Sequence, residues 1–96
     1  MKPSEAFDQH RDAIRRLVLR SGMANPRVFG SVVHGGDADS SDIDILVDPS
    51  SETSLLDLAK LQLEIESTLG VKVDLLTPKF LPESFRERVL AEAVPV

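Results

Sequence analysis

Apolar residues recur at helical spacing in two long stretches of the chain. Residues 4–20 place their apolar side chains on one face, and residues 55–69 form a broader apolar stripe. Thr53 or Ser54 is expected to cap the start of the second stretch, and a glycine follows its last apolar residue. A proline at the first position favours a third helix over residues 82–94.

Shorter apolar runs between these stretches predict three strands. Residues 42–48 and 71–76 alternate with period two, and residues 27–29 form a brief run after Pro26. Residues 31–34 are predicted to form one helical turn between the first two strands. The resulting order of helices and strands predicts an α/β fold of the α+β type, in which helices flank a small mixed β-sheet.

Length and composition limit the class of protein. The chain has 96 residues, of which 42% are hydrophobic, and it contains no repeat or linker, so one domain spanning residues 1–96 is expected. Cysteine is absent, which excludes disulfides, thiolate metal sites and a cysteine nucleophile. No signal peptide and no apolar run of about 20 residues is present, so we expect a cytoplasmic protein that does not contact a membrane.

Charge is unevenly distributed along the chain. The formal net charge is −5, although the first 30 residues carry six Lys/Arg against three Asp/Glu. The acidic remainder argues against direct binding of a nucleic-acid backbone. It remains compatible with a nucleotide, which arrives with its own cations. The basic first helix is either a solvated face or a surface for an acidic partner.

Three aspartates are in phase with one another on the predicted strands. Side chains two apart on a strand share a face, so Asp42 and Asp44 point to one face of the strand. The apolar residues that alternate with them point to the opposite face. Asp74 likewise points away from the valines of its own strand. If the two strands are neighbours, three carboxylates converge and repel one another unless a cation lies among them. Oxygen ligands of this kind suit Mg²⁺.

The glycine-rich segment before these acids offers a site for phosphate. Gly30 follows a strand and lets a ligand approach the backbone, and Ser31 offers a hydroxyl and an amide at the start of a helical turn. A phosphate held there and bridged by Mg²⁺ to the aspartates is the layout of phosphoryl or nucleotidyl transfer. Each of these features alone is commonly structural, and only their combination indicates a site.

The combination resembles the signature of the DNA-polymerase-β-like nucleotidyltransferase superfamily, and the short chain is similar to its minimal, MntA-like members. The residues that carry the resemblance are Gly30, Ser31, Gly35, Ser41, Asp42 and Asp44. The segment containing Asp74 resembles the strand that supplies the third carboxylate in this family. The resemblance covers nearly the whole chain and implies the polymerase-β-like fold.

The resemblance also implies roles for the acids. Asp42 and Asp44 would hold the metal ions, with two Mg²⁺ expected. Asp74 would help to hold one ion and would assist deprotonation of the attacking hydroxyl. All three are therefore candidate catalytic and metal-binding residues.

The nucleotide-binding roles follow from the same resemblance. Gly30 and Ser31 would bind the triphosphate of ATP, and the remaining candidates for nucleotide binding are His34, Gly35 and Ser41. Many relatives have arginine where this chain has His34. Histidine is mostly neutral at pH 7, so charge assistance from this position would be weaker or pH-dependent here.

Minimal members of this family typically accompany a small helical HEPN-domain toxin. The resemblance therefore implies an antitoxin of a toxin–antitoxin pair that transfers AMP from ATP to a tyrosine of the toxin (AMPylation). One alternative is a binding module of the same fold that neutralises its partner sterically, with catalysis dispensable. Another is a nucleotidyltransferase for a small molecule, although nothing beyond the core would form its pocket. The apolar segment 93–96 would either dock on a partner or finish the core.

Overall fold

The computed structural model describes residues 3–30, Val33 and residues 42–96. The elements in chain order are α1 (Pro3–Gln9), α2 (Arg11–Arg20), β1 (Ala24–Phe29), β2 (Ile43–Asp48), α3 (Leu55–Leu69), β3 (Val73–Leu76), a 3₁₀ helix (Pro78–Phe80), α4 (Glu83–Glu92) and β4 (Val94–Pro95). The helical turn predicted at residues 31–34 lies outside the described residues except for Val33, whose N–H donates to the Gly30 carbonyl at 3.1 Å.

The four strands form one mixed sheet in the order β3-β2-β1-β4. β1 pairs antiparallel with β2 and β4, whereas β2 pairs parallel with β3. A parallel pair needs a long crossover, and α3 supplies it between β2 and β3. The predicted mixed sheet flanked by helices is confirmed.

The core lies on one face of this sheet, beneath the helices. The alternate residues of β2 predicted to point inward are fully buried, and their counterparts on β3 are almost fully buried. The buried cluster consists of Ala6, Phe7, Ile14, Val18, Met23, Val28, Ile43, Ile45, Val47, Leu61, Ile65, Leu69, Val73 and Leu75. Leu46 is also fully buried, but it lies outside this cluster, on the other face of β2, a strand that the 3₁₀ helix contacts.

The single helix predicted over residues 4–20 is wrong, because the chain turns at His10. The His10 N–H donates to the Phe7 carbonyl at 3.1 Å, which closes a tight turn between α1 and α2. Residues 8–12 are all polar and bring no apolar side chain to the sheet, so packing does not hold α1 and α2 together as one continuous helix. Arg11 stabilises the turn by pairing with Asp8 at 3.1 Å and stacking 4.7 Å from the centre of the Phe7 ring.

The first strand is longer than predicted, because it begins at Ala24 instead of residue 27. Pro26 is tolerated inside it since the register shifts between Ala24 and Arg27, and an irregular pairing does not need the missing N–H. Asn25 has a φ of 53°, a left-handed conformation that asparagine adopts more readily than most residues.

The other predicted boundaries moved by one or two residues, and the end of the chain acquired a strand. β2 begins at Ile43, β3 begins at Val73, and α4 covers only Glu83–Glu92. The segment Val94–Pro95 leaves the predicted helix and pairs with β1 as β4. Val96 packs against the core, and its N–H donates to the Pro26 carbonyl at 3.0 Å. Of the two alternatives for this segment, the structure supports completion of the core.

None of the helices in the described part of the chain combines the length and the apolar character that crossing a bilayer requires.

Helix α3 has the predicted bounds and well-defined ends. Ser54 is the N-cap: its hydroxyl accepts from the Asp57 N–H at 3.1 Å, and the Asp57 carboxylate accepts from the Ser54 N–H at 2.9 Å. These hydrogen bonds hold the pKa of Asp57 below its usual value. Gly70 ends the helix with a φ of 73°, and its N–H donates to the Glu66 carbonyl at 2.8 Å.

We expect Ser54→Ala to lower the free energy of unfolding by about 1 kcal/mol, because the Asp57 N–H in the first turn of α3 loses the hydroxyl that accepts its hydrogen bond. Urea denaturation at neutral pH measures the change. Ser51→Ala is the matched control, since Ser51 is exposed and lies outside the cap. Equal stability of the two variants would contradict a stabilising cap at Ser54.

Candidate active site

The parallel pairing of β2 with β3 places two of the predicted acids side by side. Asp44 lies directly opposite Asp74, in register between the buried pairs on either side. Directly opposed residues on neighbouring strands project from the same face. Because the flanking residues point into the core, Asp44 and Asp74 both point away from it, as the sequence predicts. Asp42 immediately precedes β2 and is exposed.

The electrostatic environment of Asp44 shows that these acids influence one another. The pKa of Asp44 is raised from 3.8 to about 6, chiefly by burial of the carboxyl and then by the charges of Asp74 and Asp42. Asp44 remains mostly ionised at neutral pH, at a cost in stability. A cation among the three carboxylates would remove that cost.

Gly30 is required at the end of β1 by its contact with Asp44. Its φ is 80°, a left-handed conformation that favours glycine. A Cβ at this position would also overlap the Asp44 Oδ2 atom. Phe29, the preceding residue, is the strand partner of Asp44, which explains why the backbone comes so close. Gly30 is predicted from the sequence to bind phosphate, and in the structure it also makes room for the Asp44 carboxylate.

The donor chemistry of this cluster fits a divalent metal ion such as Mg²⁺. Asp44 and Asp74 present hard carboxylate oxygens on adjacent strands, and Asp42 adds negative charge. Within residues 3–30, Val33 and residues 42–96, no three His, Cys, Asp or Glu side chains come together as a complete metal-binding group. Mg²⁺ is usually held by one or two carboxylates, with water and substrate phosphates as the other ligands. The two carboxylates that the strand register brings together, Asp44 and Asp74, match this requirement.

The other predicted site residues fall in the segment between β1 and β2. Ser31, His34, Gly35 and Ser41 lie outside the described residues. Their roles in nucleotide binding stay predictions. Gly30 and Asp42 are the described residues at the two ends of this segment. Gly30 lies against the Asp44 carboxylate, and the charge of Asp42 helps to raise the pKa of Asp44.

A separate surface groove of about 500 Å³ lies at the turn between α1 and α2. It is lined by residues from Asp8 to Arg16, most of them charged, and it contains none of the three aspartates. Its charged side chains form local ion pairs, including Arg11–Asp8 and Arg15–Asp12. Such solvated pairs need no ligand to explain them.

Two residues that the sequence analysis did not single out contact the strand carrying Asp74. The Glu66 carboxylate accepts from the Val73 N–H at 2.9 Å, and the Gln62 side-chain oxygen accepts from the Leu75 N–H at 3.2 Å. Polar residues four apart on a helix are common, so the sequence carries no distinctive signal for this contact. It becomes recognisable only when α3 is placed beside β3.

We expect Gly30→Ala to destabilise the protein more than Gly70→Ala. Both glycines are left-handed, so each alanine costs about 1–2 kcal/mol in backbone strain. A Cβ at Gly70 meets open space, whereas at Gly30 it displaces the Asp44 carboxylate and adds about 1 kcal/mol or more. Chemical denaturation measures both variants, and equal losses would show that the Asp44 contact does not require glycine.

We expect Asp44→Asn to stabilise the protein above pH 6. The folded state keeps a proton on Asp44 up to about pH 6, whereas the unfolded chain releases it near 3.8, so the unfolding free energy of the wild type falls as pH rises between these values. The full shift corresponds to about 3 kcal/mol, and solvent screening of this half-exposed group reduces the expected gain to about 1 kcal/mol.

Denaturation at pH 4 and at pH 8 tests this expectation, with Asp42→Asn as the exposed control. The advantage of Asp44→Asn over the wild type should grow with pH, and the control should show little of it. An Asp44→Asn variant that is less stable at pH 8 would identify the carboxylate as a structural group.

Comparison with known proteins supports the same interpretation. The family described as "Polymerase beta, Nucleotidyltransferase" matches residues 25–96. A Methanocaldococcus jannaschii protein that is provisionally named a protein adenylyltransferase is 40% identical over 80 residues, which cover 83% of this chain and 86% of the relative. Protein adenylyltransferase MntA of Thermococcus cleftensis is 39% identical over 82 residues, which cover 85% and 83% of the two chains.

Solved structures share the fold. One described provisionally as a minimal nucleotidyltransferase superposes with a TM-score of 0.87 at 41% identity and covers 97% of this chain and 95% of its own. A toxin–antitoxin structure with AMP-PNP superposes with a TM-score of 0.75 at 22% identity, covering 88% and 69% of the two chains, which shows likeness of fold alone. From its fold, its sequence relatives and the family match, the chain belongs to the polymerase β nucleotidyltransferase family.

Proposed function

We propose that this nucleotidyltransferase is a Mg²⁺-dependent protein adenylyltransferase that moves AMP from ATP to a tyrosine of a HEPN-domain toxin and thereby acts as its antitoxin. One observation carries the proposal: the register that sets Asp44 opposite Asp74, with Gly30 pressed against Asp44. We further propose that residues 1–96 work as one minimal catalytic domain in the cytoplasm.

The relatives favour a protein as the acceptor of AMP. Proteins 39–40% identical to this chain are named protein adenylyltransferases, and two of the structures with a similar fold are toxin–antitoxin complexes named for MntA and its partner HpeT. The HEPN identity of the toxin and the tyrosine acceptor come from the resemblance to minimal, MntA-like members of the family. The acids themselves are compatible with any hydroxyl acceptor.

The exposure of the acids suggests a division of roles. Asp44 is half-buried, whereas Asp74 is exposed. Asp44, with Asp42 nearby, would hold the ions that accompany the triphosphate. Asp74 would face an incoming hydroxyl. Bound Mg²⁺ would supply charge neutralisation at the phosphate oxygens and hold the reacting groups in line.

The proposed transfer is a single displacement at the α-phosphorus of ATP. The acceptor oxygen forms a bond to phosphorus, and the bond from phosphorus to the bridging oxygen of pyrophosphate breaks. The hydroxyl proton passes to the Asp74 carboxylate, and pyrophosphate leaves. The partner protein itself would complete the site.

Incubation with radiolabelled ATP, Mg²⁺ and the protein encoded by the neighbouring gene tests the proposal. We expect label on a tyrosine of that protein, and none when EDTA removes the metal. A partner that stays unlabelled while its toxicity is neutralised would instead support the sterically acting binding module.

We expect Asp74→Asn to keep most of the affinity for Mg²⁺·ATP and to lose most of the transfer. A group that accepts the proton contributes about 10²–10⁴-fold to the rate, while Asp42 and Asp44 remain to hold the nucleotide's ions. Isothermal titration with a non-hydrolysable ATP analogue and labelling of the partner measure the two effects. Asp44→Asn is the contrast, since it should weaken nucleotide binding as well.

The same Asp74→Asn variant separates the enzyme from the binding module. Growth of cells that express the toxin should fail when this variant replaces the wild type. Full rescue of growth without any labelling of the toxin would contradict the enzyme as the working antitoxin.

A further inference from the structure

The strand that carries Asp74 is held on its outer side by a helix. Among the strands that the structure describes, β3 lies at the edge of the sheet and pairs with β2 alone, so the backbone groups on its outer side form no hydrogen bonds to another strand. The two residues that flank Asp74 donate instead to side chains of α3: the Val73 N–H to Glu66 Oε2 at 2.9 Å, and the Leu75 N–H to Gln62 Oε1 at 3.2 Å.

The spacing of these contacts matches the geometry of the two elements. Four residues of helix advance about 6 Å, and two residues of strand advance about 6.6 Å. Gln62 and Glu66 are four apart, and the amides that they meet are two apart. Helix α3 therefore presents two acceptors whose spacing matches that of every second amide of β3. These acceptors occupy the place where a further strand would bind.

Asp74 lies between these two anchored residues. β3 is only four residues long, so its position depends on few contacts. The pairing with β2 fixes its register, and the two side chains of α3 fix its outer edge. Small displacements of a reacting group are costly, since a misplacement of about 1 Å can lower a rate about 10²-fold.

We infer that Gln62 and Glu66 are positioning residues, which hold Asp74 at the distance from Asp44 that transfer requires. The inference rests on the proposed role of Asp74 in catalysis. A solely structural role, in which the two side chains only cover the strand edge, predicts that transfer by folded molecules does not depend on them.

Removal of either acceptor tests the inference. Gln62→Met and Glu66→Met keep the length of the side chain but replace the acceptor oxygen by a thioether, which is only a weak acceptor. Gln62→Glu and Glu66→Gln retain an acceptor oxygen at the same position. Glu64→Met is the matched control on the same helix, since Glu64 pairs with Arg20 at 2.7 Å and makes no bond to β3.

Single-turnover transfer of labelled AMP to the neighbouring gene's product is the main measurement. We expect the rate constant to fall about 10–100-fold in Gln62→Met and Glu66→Met, as supporting residues of catalytic groups typically show, and to recover in the two variants that retain an acceptor oxygen. Affinity for Mg²⁺·ATP should stay unchanged, because Asp42 and Asp44 are intact. The control should behave as the wild type.

A structural role would give a different result. Partial unfolding lowers the amplitude of a single turnover and leaves its rate constant unchanged, and that outcome would overturn the inference. A loss in Glu64→Met as large as in Glu66→Met would overturn it as well.

Amide hydrogen exchange separates this inference from the proposed function. The Val73 and Leu75 amides should exchange faster in the two methionine variants than in the wild type. If the wild type transfers no AMP, the proposed function fails, and the exchange result then decides whether α3 anchors β3. Unchanged protection of both amides would overturn that anchoring.

Discussion

The register between β2 and β3 is the constraint on which the rest of the structure depends. Side chains alternate between the faces of a sheet, so a slip of one residue in either strand would turn its buried residues outward and its aspartate inward. The isoleucines and valines of these strands are fully or almost fully buried, and a carboxylate in their place would be far more costly than solvent exposure. Burial of the core therefore fixes, at the same time, which residues form the acidic cluster.

The acidic cluster is kept in the fold although its carboxylates repel one another. Asp44 is half-buried beside two like charges, and Gly30 accepts a left-handed backbone so that the carboxylate fits. The burial and repulsion at Asp44 lower the stability of the folded chain in the absence of a cation, whereas glycine adopts the left-handed backbone without strain. Natural proteins keep such local conflicts mainly where function requires them, and compensate elsewhere. Here the compensation comes from the apolar core on the opposite face and from well-capped helix α3.

The sequence predicts those parts of the fold that have a strong local pattern. The apolar stripe, the cap and the terminal glycine define α3 to the residue, and the period of two places Asp44 and Asp74 on one face. The turn at His10 is not predicted, because it results from the absence of apolar side chains at residues 8–12 that could pack against the sheet. Strand β4 is not predicted, because two residues are too few to show an alternation of apolar and polar positions. Its pairing with β1 depends on the tertiary fold. The contacts of Gln62 and Glu66 likewise exist only between distant elements.

The two edges of the sheet limit how another protein can bind. On one edge, the side chains of α3 occupy the outer amides of β3. On the other, β4 has only two residues, and Pro95 has no N–H to donate. Within residues 3–30, Val33 and residues 42–96, neither edge offers a row of free backbone donors to which a peptide could add a strand. A protein that binds the described sheet would therefore contact side chains and surface shape, so that specificity becomes a property of surface residues and the backbone of the sheet stays undisturbed.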